Sequence, residues 1–172
     1  MPVRVEPMDD ADVAAVVAID ASTAGSSGWN EEQVRGELGR SWARLWVVRE
    51  SDAAARDEVR AFLCAWVVAD ELHVLNVATA ADQRRRGHGR VLLAHALDFA
   101  AGQRVRLVLL EVRRGNAAAI GLYRAFGFTA MGIRAQYYGD GEDAVEMVLR
   151  LDELGQPLPG KDEVRLSRSE NL

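Results

Sequence analysis

A single cysteine, Cys64, occurs in 172 residues. One thiol cannot form an internal disulfide, and a cysteine-ligated metal cluster is excluded with it. Its surroundings, A-F-L-C-A-W-V-V, read as an apolar strand, where a thiol packs rather than reacts. Lysine occurs only at Lys161, so the other basic residues are arginines, and the net charge of −5 argues against a general nucleic-acid binder. Long apolar runs are missing too. The longest, Ala61 to Ala69, falls far short of the ~20 residues that span a bilayer. The start, M-P-V-R-V-E-P-M, carries no apolar signal core, so a cytoplasmic protein is expected, without a membrane or direct nucleic-acid partner. What is present, 49% hydrophobic and 27% charged residues, is ordinary for one folded domain with a substantial core.

Taken in order, Val3–Val5 is expected as a short strand closed by Pro7. Asp9 or Asp10 then caps a helix with Val13, Val16, Val17 and Ile19 along one side. After the glycine/serine stretch A-S-T-A-G-S-S-G-W, Asn30 is placed to cap a second helix that Gly39 ends. Strands are expected at Trp42–Arg49, Val59–Val68 and Leu72–Ala78, with links short enough for an antiparallel meander. A helix bearing Val91, Leu92, His95 and Phe99 at helical spacing comes next, with His95 at the core edge. The nearly unbroken apolar run Val105–Val112 is expected to be a strand buried on both faces, reached by a parallel crossover. Asn116 caps a further helix closed by Gly127. Phe128–Tyr138 and Ala144–Leu151 then make a C-terminal hairpin across G-D-G-E-D. The expected fold class is α/β, a single domain over residues 1–152 whose mixed central β-sheet of about seven strands is flanked by about four helices. Residues 153–172, polar and without periodicity, are expected to form a flexible tail.

Asn76 to Arg90, N-V-A-T-A-A-D-Q-R-R-R-G-H-G-R, leaves one strand and runs straight into the next helix. Gly87 and Gly89 at the helix start let backbone approach a ligand closely, and the leading N–H groups with the positive end of the helix dipole form a seat for an anion. The Lys-Ser/Thr pair of a P-loop is missing, and Leu92 stands where the dinucleotide fingerprint needs its third glycine. Downstream, Glu111 interrupts the apolar strand L-V-L-L-E-V near its C-terminal end, where ligands gather in open sheets and a carboxylate suits general-base work. Taken alone, Glu111 reads rather as an edge glutamate pointing at solvent or paired with Arg113, and Tyr123 as core packing with its hydroxyl satisfied locally.

Arg84-Arg85-Arg86-Gly87-His88-Gly89 resembles the Q/R-x-x-G-x-G/A pyrophosphate loop of the GNAT N-acetyltransferases. The segment L-E-V-R-R-G-N-A-A-A-I-G-L-Y-R-A-F-G-F, Leu110 to Phe128, is similar to the L-E-V-R-x-x-N-x-x-A-I-x-L-Y-x-x-x-G-F signature of the RimI-type ribosomal-protein-alanine N-acetyltransferases. Together with Q-Y-Y-G-D-G-E-D-A-V-E-M-V-L, the resemblance covers about Val74 to Leu151, and it reaches the N-terminal third only through element order. It implies a GNAT fold and acetyl-CoA as co-substrate, with no metal. It also implies transfer of acetyl to a protein N-terminus, the N-terminal alanine of a small-subunit ribosomal protein. By the same resemblance Glu111 is the general base and Tyr123 the general acid. Arg84, Arg85, Arg86, Gly87, His88 and Gly89 hold the pyrophosphate, Val77 and Ala78 meet the pantetheine arm, and Asn116 contacts the coenzyme. Trp29, Tyr137 and Tyr138 line the acceptor groove. There Ser27-Gly28-Trp29 replaces the family's Phe-Pro-Trp, which leaves a small-molecule amine as an alternative acceptor. A catalytically silent coenzyme-A-binding module is a further alternative, and retention of both Glu111 and Tyr123 counts against it. With no residue placed to form an acyl-enzyme, direct transfer in a ternary complex is expected.

Overall fold

A computed structural model of the chain describes residues 2–23, 28–51 and 57–166. Part of the glycine/serine stretch, most of the polar link after residue 51, and the last six residues of the expected tail therefore lie outside the described residues. Strands β1 (Val3–Pro7), β2 (Ala43–Ser51), β3 (Asp57–Val68), β4 (Glu71–Thr79), β5 (Leu107–Arg113), β6 (Thr129–Arg134) and β7 (Ala144–Arg150) form one mixed sheet in the order β1-β2-β3-β4-β5-β7-β6. Among the described residues four α-helices accompany them: α1 (Val13–Ala21), α2 (Glu31–Leu38), α3 (His88–Gly102) and α4 (Ala117–Ala125). No helix among the described residues is long and apolar enough to cross a membrane. The chain divides into two compact units, residues 1–68 with 74–99 and residues 69–73 with 100–172.

In the first unit the helix starts follow their caps. Asp9, rather than Asp10, is the capping residue: its Oδ1 accepts from Ala11 N at 2.9 Å, and Asp12 Oδ2 accepts from Asp9 N at 3.0 Å. That reciprocal box closes a 3₁₀ turn over Asp10–Asp12 before α1 begins. Asn30 and Gln33 make a second box, with both bonds at 2.9 Å, and start α2. β2 pairs antiparallel with β3, as the short link between them predicts, and β1, two helices earlier in the chain, pairs antiparallel with β2. Val13, Val16, Val34, Val47, Phe62 and Cys64 are buried in the core these elements enclose, each large side chain stabilising by roughly 1.5–3 kcal/mol. Burial, and then Glu37, push the Cys64 thiol far above its ordinary pKa, which suits packing rather than nucleophilic work.

The second unit corrects one expectation. β5 is not buried on both faces. Val108, Leu110 and Val112 point into the core, whereas Leu107, Leu109 and Glu111 alternate with them half-buried. Its neighbour within this unit is β7, antiparallel, and β7 lies between β5 and β6, so the C-terminal hairpin contributes its second strand to the sheet interior. The chain after Asp152, expected as a flexible tail, is hydrogen-bonded back onto this unit as far as Glu163. Leu151 bridges Pro157, Leu158 N donates to Arg150 O, and Glu163 N donates to Ala130 O. Asp162 accepts both Arg124 guanidinium nitrogens, at 3.0 and 2.8 Å, and Ala130 N at 2.9 Å. Gly155, at φ +77, lies so close to Ala101 that a Cβ there would overlap it. The segment looked loose in sequence because it docks through side-chain-to-backbone bonds, which leave no apolar period to read.

Candidate active site

In the first unit, β4 delivers Asn76, Val77 and Ala78, Ala78 buried and the other two half-buried. A 3₁₀ turn at Ala81–Gln83 and the exposed run Arg84–Gly87 then lead into α3. Gly87 has φ +83 and Arg85 φ +62, so the loop folds back through the left-handed region twice. A Cβ added at Gly87 would meet nothing within 4 Å, so the space its backbone faces is open. The first helical bond runs from Val91 N to Gly87 O at 3.0 Å, which leaves the amides of His88 and Gly89 leading the helix at its positive end. Arg84 is anchored by Nη2 to Ser22 O at 3.1 Å, while Arg85 and Arg86 are exposed. His88 turns the other way. Its ring is buried, its Nε2 meets no hydrogen-bond partner among the described residues, and its pKa is lowered, first by burial.

The sequence reading missed Asp20, which is buried on α1. It accepts from Trp29 N at 3.2 Å and from Asn76 Nδ2 at 3.0 Å, tying the expected acceptor-wall tryptophan to the strand beside Val77. The sequence did hold a signal, an aspartate one residue after Ile19 on the buried stripe of α1. Trp29 itself is half-buried against the first unit's core. His95 packs edge-on to Trp46 with ring centroids 5.2 Å apart, consistent with its expected place at the core edge.

In the second unit, Glu111 stands half-buried on β5. Arg113 is not its partner: that guanidinium pairs with Asp140 at 2.8 Å and lies 4.0 Å from the Tyr138 ring centre. Instead Arg134 Nε comes within 3.4 Å of Glu111 Oε1, and the neighbouring Glu111 carboxylate is the first cause of the Tyr137 phenol's raised pKa. Tyr137 and Tyr138 meet edge to face at 5.1 Å. Their loop is pinned by buried Asp143, which accepts from Gln136 N and from Arg114. Tyr123 is buried on α4 with its ring 5.7 Å from Phe128, and burial pushes its hydroxyl up to about 12. Asn116 caps α4 by accepting from Ala119 N at 3.1 Å. Glu111, Tyr123, Tyr137 and Tyr138 thus gather in one unit, and the glycine loop, Asn76–Ala78 and Trp29 in the other.

The acetyltransferase (GNAT) family model matches residues 17–128, and the chain belongs to that family. It is an N-acetyltransferase. Among curated relatives, the [ribosomal protein bS18]-alanine N-acetyltransferase of Salmonella typhimurium is 39% identical over 124 residues, covering 70% of this chain and 80% of that protein. The Escherichia coli protein of the same name is 37% identical with the same coverage. A crystal structure of the ribosomal-protein-S18-alanine N-acetyltransferase from Escherichia coli matches with TM-score 0.75 and 30% identity, over 94% of this chain and 97% of that one.

Proposed function

We propose that this chain moves the acetyl group of acetyl-CoA onto the N-terminal α-amine of a protein, an alanine-starting ribosomal protein of the small subunit. The observation that carries the chemistry is the Glu111 carboxylate, half-buried on β5, with Arg113 committed to Asp140 and Arg134 Nε no nearer than 3.4 Å. The 39% identity over four-fifths of a relative with that activity supports the acceptor. An α-amine has an ordinary pKa of about 7.7–8.0, against about 10.4 for lysine, so one carboxylate suffices to take its proton near neutrality.

The amine lone pair attacks the thioester carbonyl carbon, Glu111 receives the amine's proton, and the carbon–sulfur bond breaks to release the thiolate. Charge developing on the carbonyl oxygen is met by backbone N–H at Val77. Tyr123, held protonated by burial, donates to the departing sulfur. A phenol near 12 gives its proton uphill to a thiolate whose acid has an ordinary pKa of about 8.5, so the donation begins as a hydrogen bond and completes late. The amides of Gly87, His88 and Gly89 hold the pyrophosphate with Arg84, Arg85 and Arg86 around it. Asn116, its carboxamide oxygen committed to the helix cap, reaches the coenzyme through Nδ2.

The test is an acetyl-transfer assay on an alanine-starting ribosomal peptide, the same peptide with a blocked N-terminus, and a polyamine. Transfer to the first alone is expected. Preference for the polyamine would replace this reading with the small-molecule one, whose support is Ser27-Gly28-Trp29 in place of Phe-Pro-Trp.

A further inference from the structure

Glu111 and Glu146 are direct partners in the β5–β7 register, so two carboxylates stand side by side on one face of the sheet. Like charges placed so are unfavourable unless a cation joins them. Arg134 of β6 is that cation, and it is shared unequally: its Nε hydrogen-bonds Glu146 Oε1, while Glu111 Oε1 is 3.4 Å away. The register between β6 and β7 slips between Ala130 and Gly132, bringing Gly132 opposite Glu146. A Cβ at Gly132 would overlap Glu146 Oε2, so the glycine makes room for this carboxylate. The Arg134 guanidinium also lies over the Tyr137 ring, at 5.6 Å, with the side chain more than half exposed and so able to move.

An arginine and a protonated acceptor amine carry the same charge and compete for the same carboxylate. We propose that Glu146 is a positioning residue that draws Arg134 to itself and so weakens its hold on Glu111, letting the acceptor's ammonium group compete for that carboxylate. Gly132 is the backbone position that permits it. The inference rests on Glu111 being the base. Without Glu146's charge, Arg134 closes the gap to Glu111 and shields it from the amine.

The experiment is steady-state kinetics with the alanine-starting peptide on folded variants of the full chain. Glu146→Gln raises the KM for the amine by about three- to tenfold with a smaller effect on kcat, the span expected when a half-exposed ion pair is re-formed. Affinity for acetyl-CoA stays unchanged. Gly132→Ala, which pushes the Glu146 carboxylate aside, gives the same defect. Adding Arg134→Gln to either variant restores the KM, which a merely structural role for Glu146 would not do. A Glu146→Gln enzyme with wild-type KM, or a defect that persists after Arg134→Gln is added, overturns the proposal. Glu111→Gln, measured alongside, separates the two layers. If it is disabled while Glu146→Gln is normal, only this inference fails; if it turns over normally, the base assignment fails and the inference with it.

Discussion

The docked segment after Asp152 gives a stability prediction in which two contacts of one residue can be ranked. Asp162 bonds the Arg124 guanidinium twice, but both side chains are more than a third exposed, at 38% and 36%. An ion pair of that exposure contributes about 0–1 kcal/mol. The same carboxylate also accepts from Ala130 N in a part-buried bond, and removing it leaves a strand amide without its partner at a cost of roughly 1–3 kcal/mol. The backbone bond therefore dominates. Asp162→Ala should destabilise by about 1.5–3 kcal/mol, whereas Arg124→Met should cost about 1 kcal/mol or less. Asp162→Asn, which keeps an acceptor oxygen for Ala130 N, should resemble Arg124→Met. The pH dependence has a definite sign. Arg124 first, and then the Ala130 amide, hold the Asp162 pKa below its ordinary 3.8. The stabilisation is thus complete above about pH 4 and lost as pH falls through the lowered value. Urea unfolding midpoints of the three variants at pH 7 and pH 3 measure all of this. If Arg124→Met costs as much as Asp162→Ala, the ion pair is the stronger contact and the ranking is wrong.

Three further outcomes follow from the site. Gly87→Ala places a methyl group in the open space over the loop and strains the backbone at φ +83 by about 1–2 kcal/mol; acetyl-CoA affinity should fall tenfold or more, about 1.4 kcal/mol, as read by titration calorimetry on the folded variant. His88 has a lowered pKa because it is buried, with Arg86 and Arg60 opposing protonation and Glu50 favouring it. Stability should therefore be full above the unfolded value of about 6.5 and decline as pH drops below it. His88→Leu should flatten urea midpoints between pH 7 and 5. Tyr123→Phe keeps the packing against Phe128 but removes the proton donor. The rate should fall by about 10²–10⁴-fold with acetyl-CoA affinity kept, and without rescue at high pH in a pH–rate series.

Local rules made much of this molecule legible. Asn30 and Asn116 cap the helices where a side-chain oxygen precedes a helical period, and each bonds the amide three residues on. The glycine loop between β4 and α3 was readable because two glycines one residue apart, between an apolar strand and a helical period, mark a turn into a helix. The losses were long-range. β5 read as wholly buried because Leu107 and Leu109 are apolar, although the pleat turns them with Glu111 to the half-buried face. Glu111's neighbours depend on β7 lying beside β5 and on a one-residue slip between β6 and β7, which no local period records. Arg113, two residues away in sequence, was the obvious partner, yet a strand places it against Asp140 and Tyr138 instead. Asp20 escaped because an aspartate beside a valine-rich stripe reads as the helix's polar edge until its two partners are seen.

The central claim, that Glu111 takes a proton from an N-terminal amine, is tested most directly by the pH–rate profile of Glu111→Gln on an alanine-starting ribosomal peptide. The base acts on the ammonium form, so its loss should cut the rate by about 10²–10⁴-fold near neutrality. Activity should recover in part as pH rises through the amine's own pKa of about 7.7–8.0, where the free amine no longer needs the carboxylate. Near-normal turnover at pH 7, or a deficit that stays constant through pH 9, would contradict the assignment of Glu111 as the base.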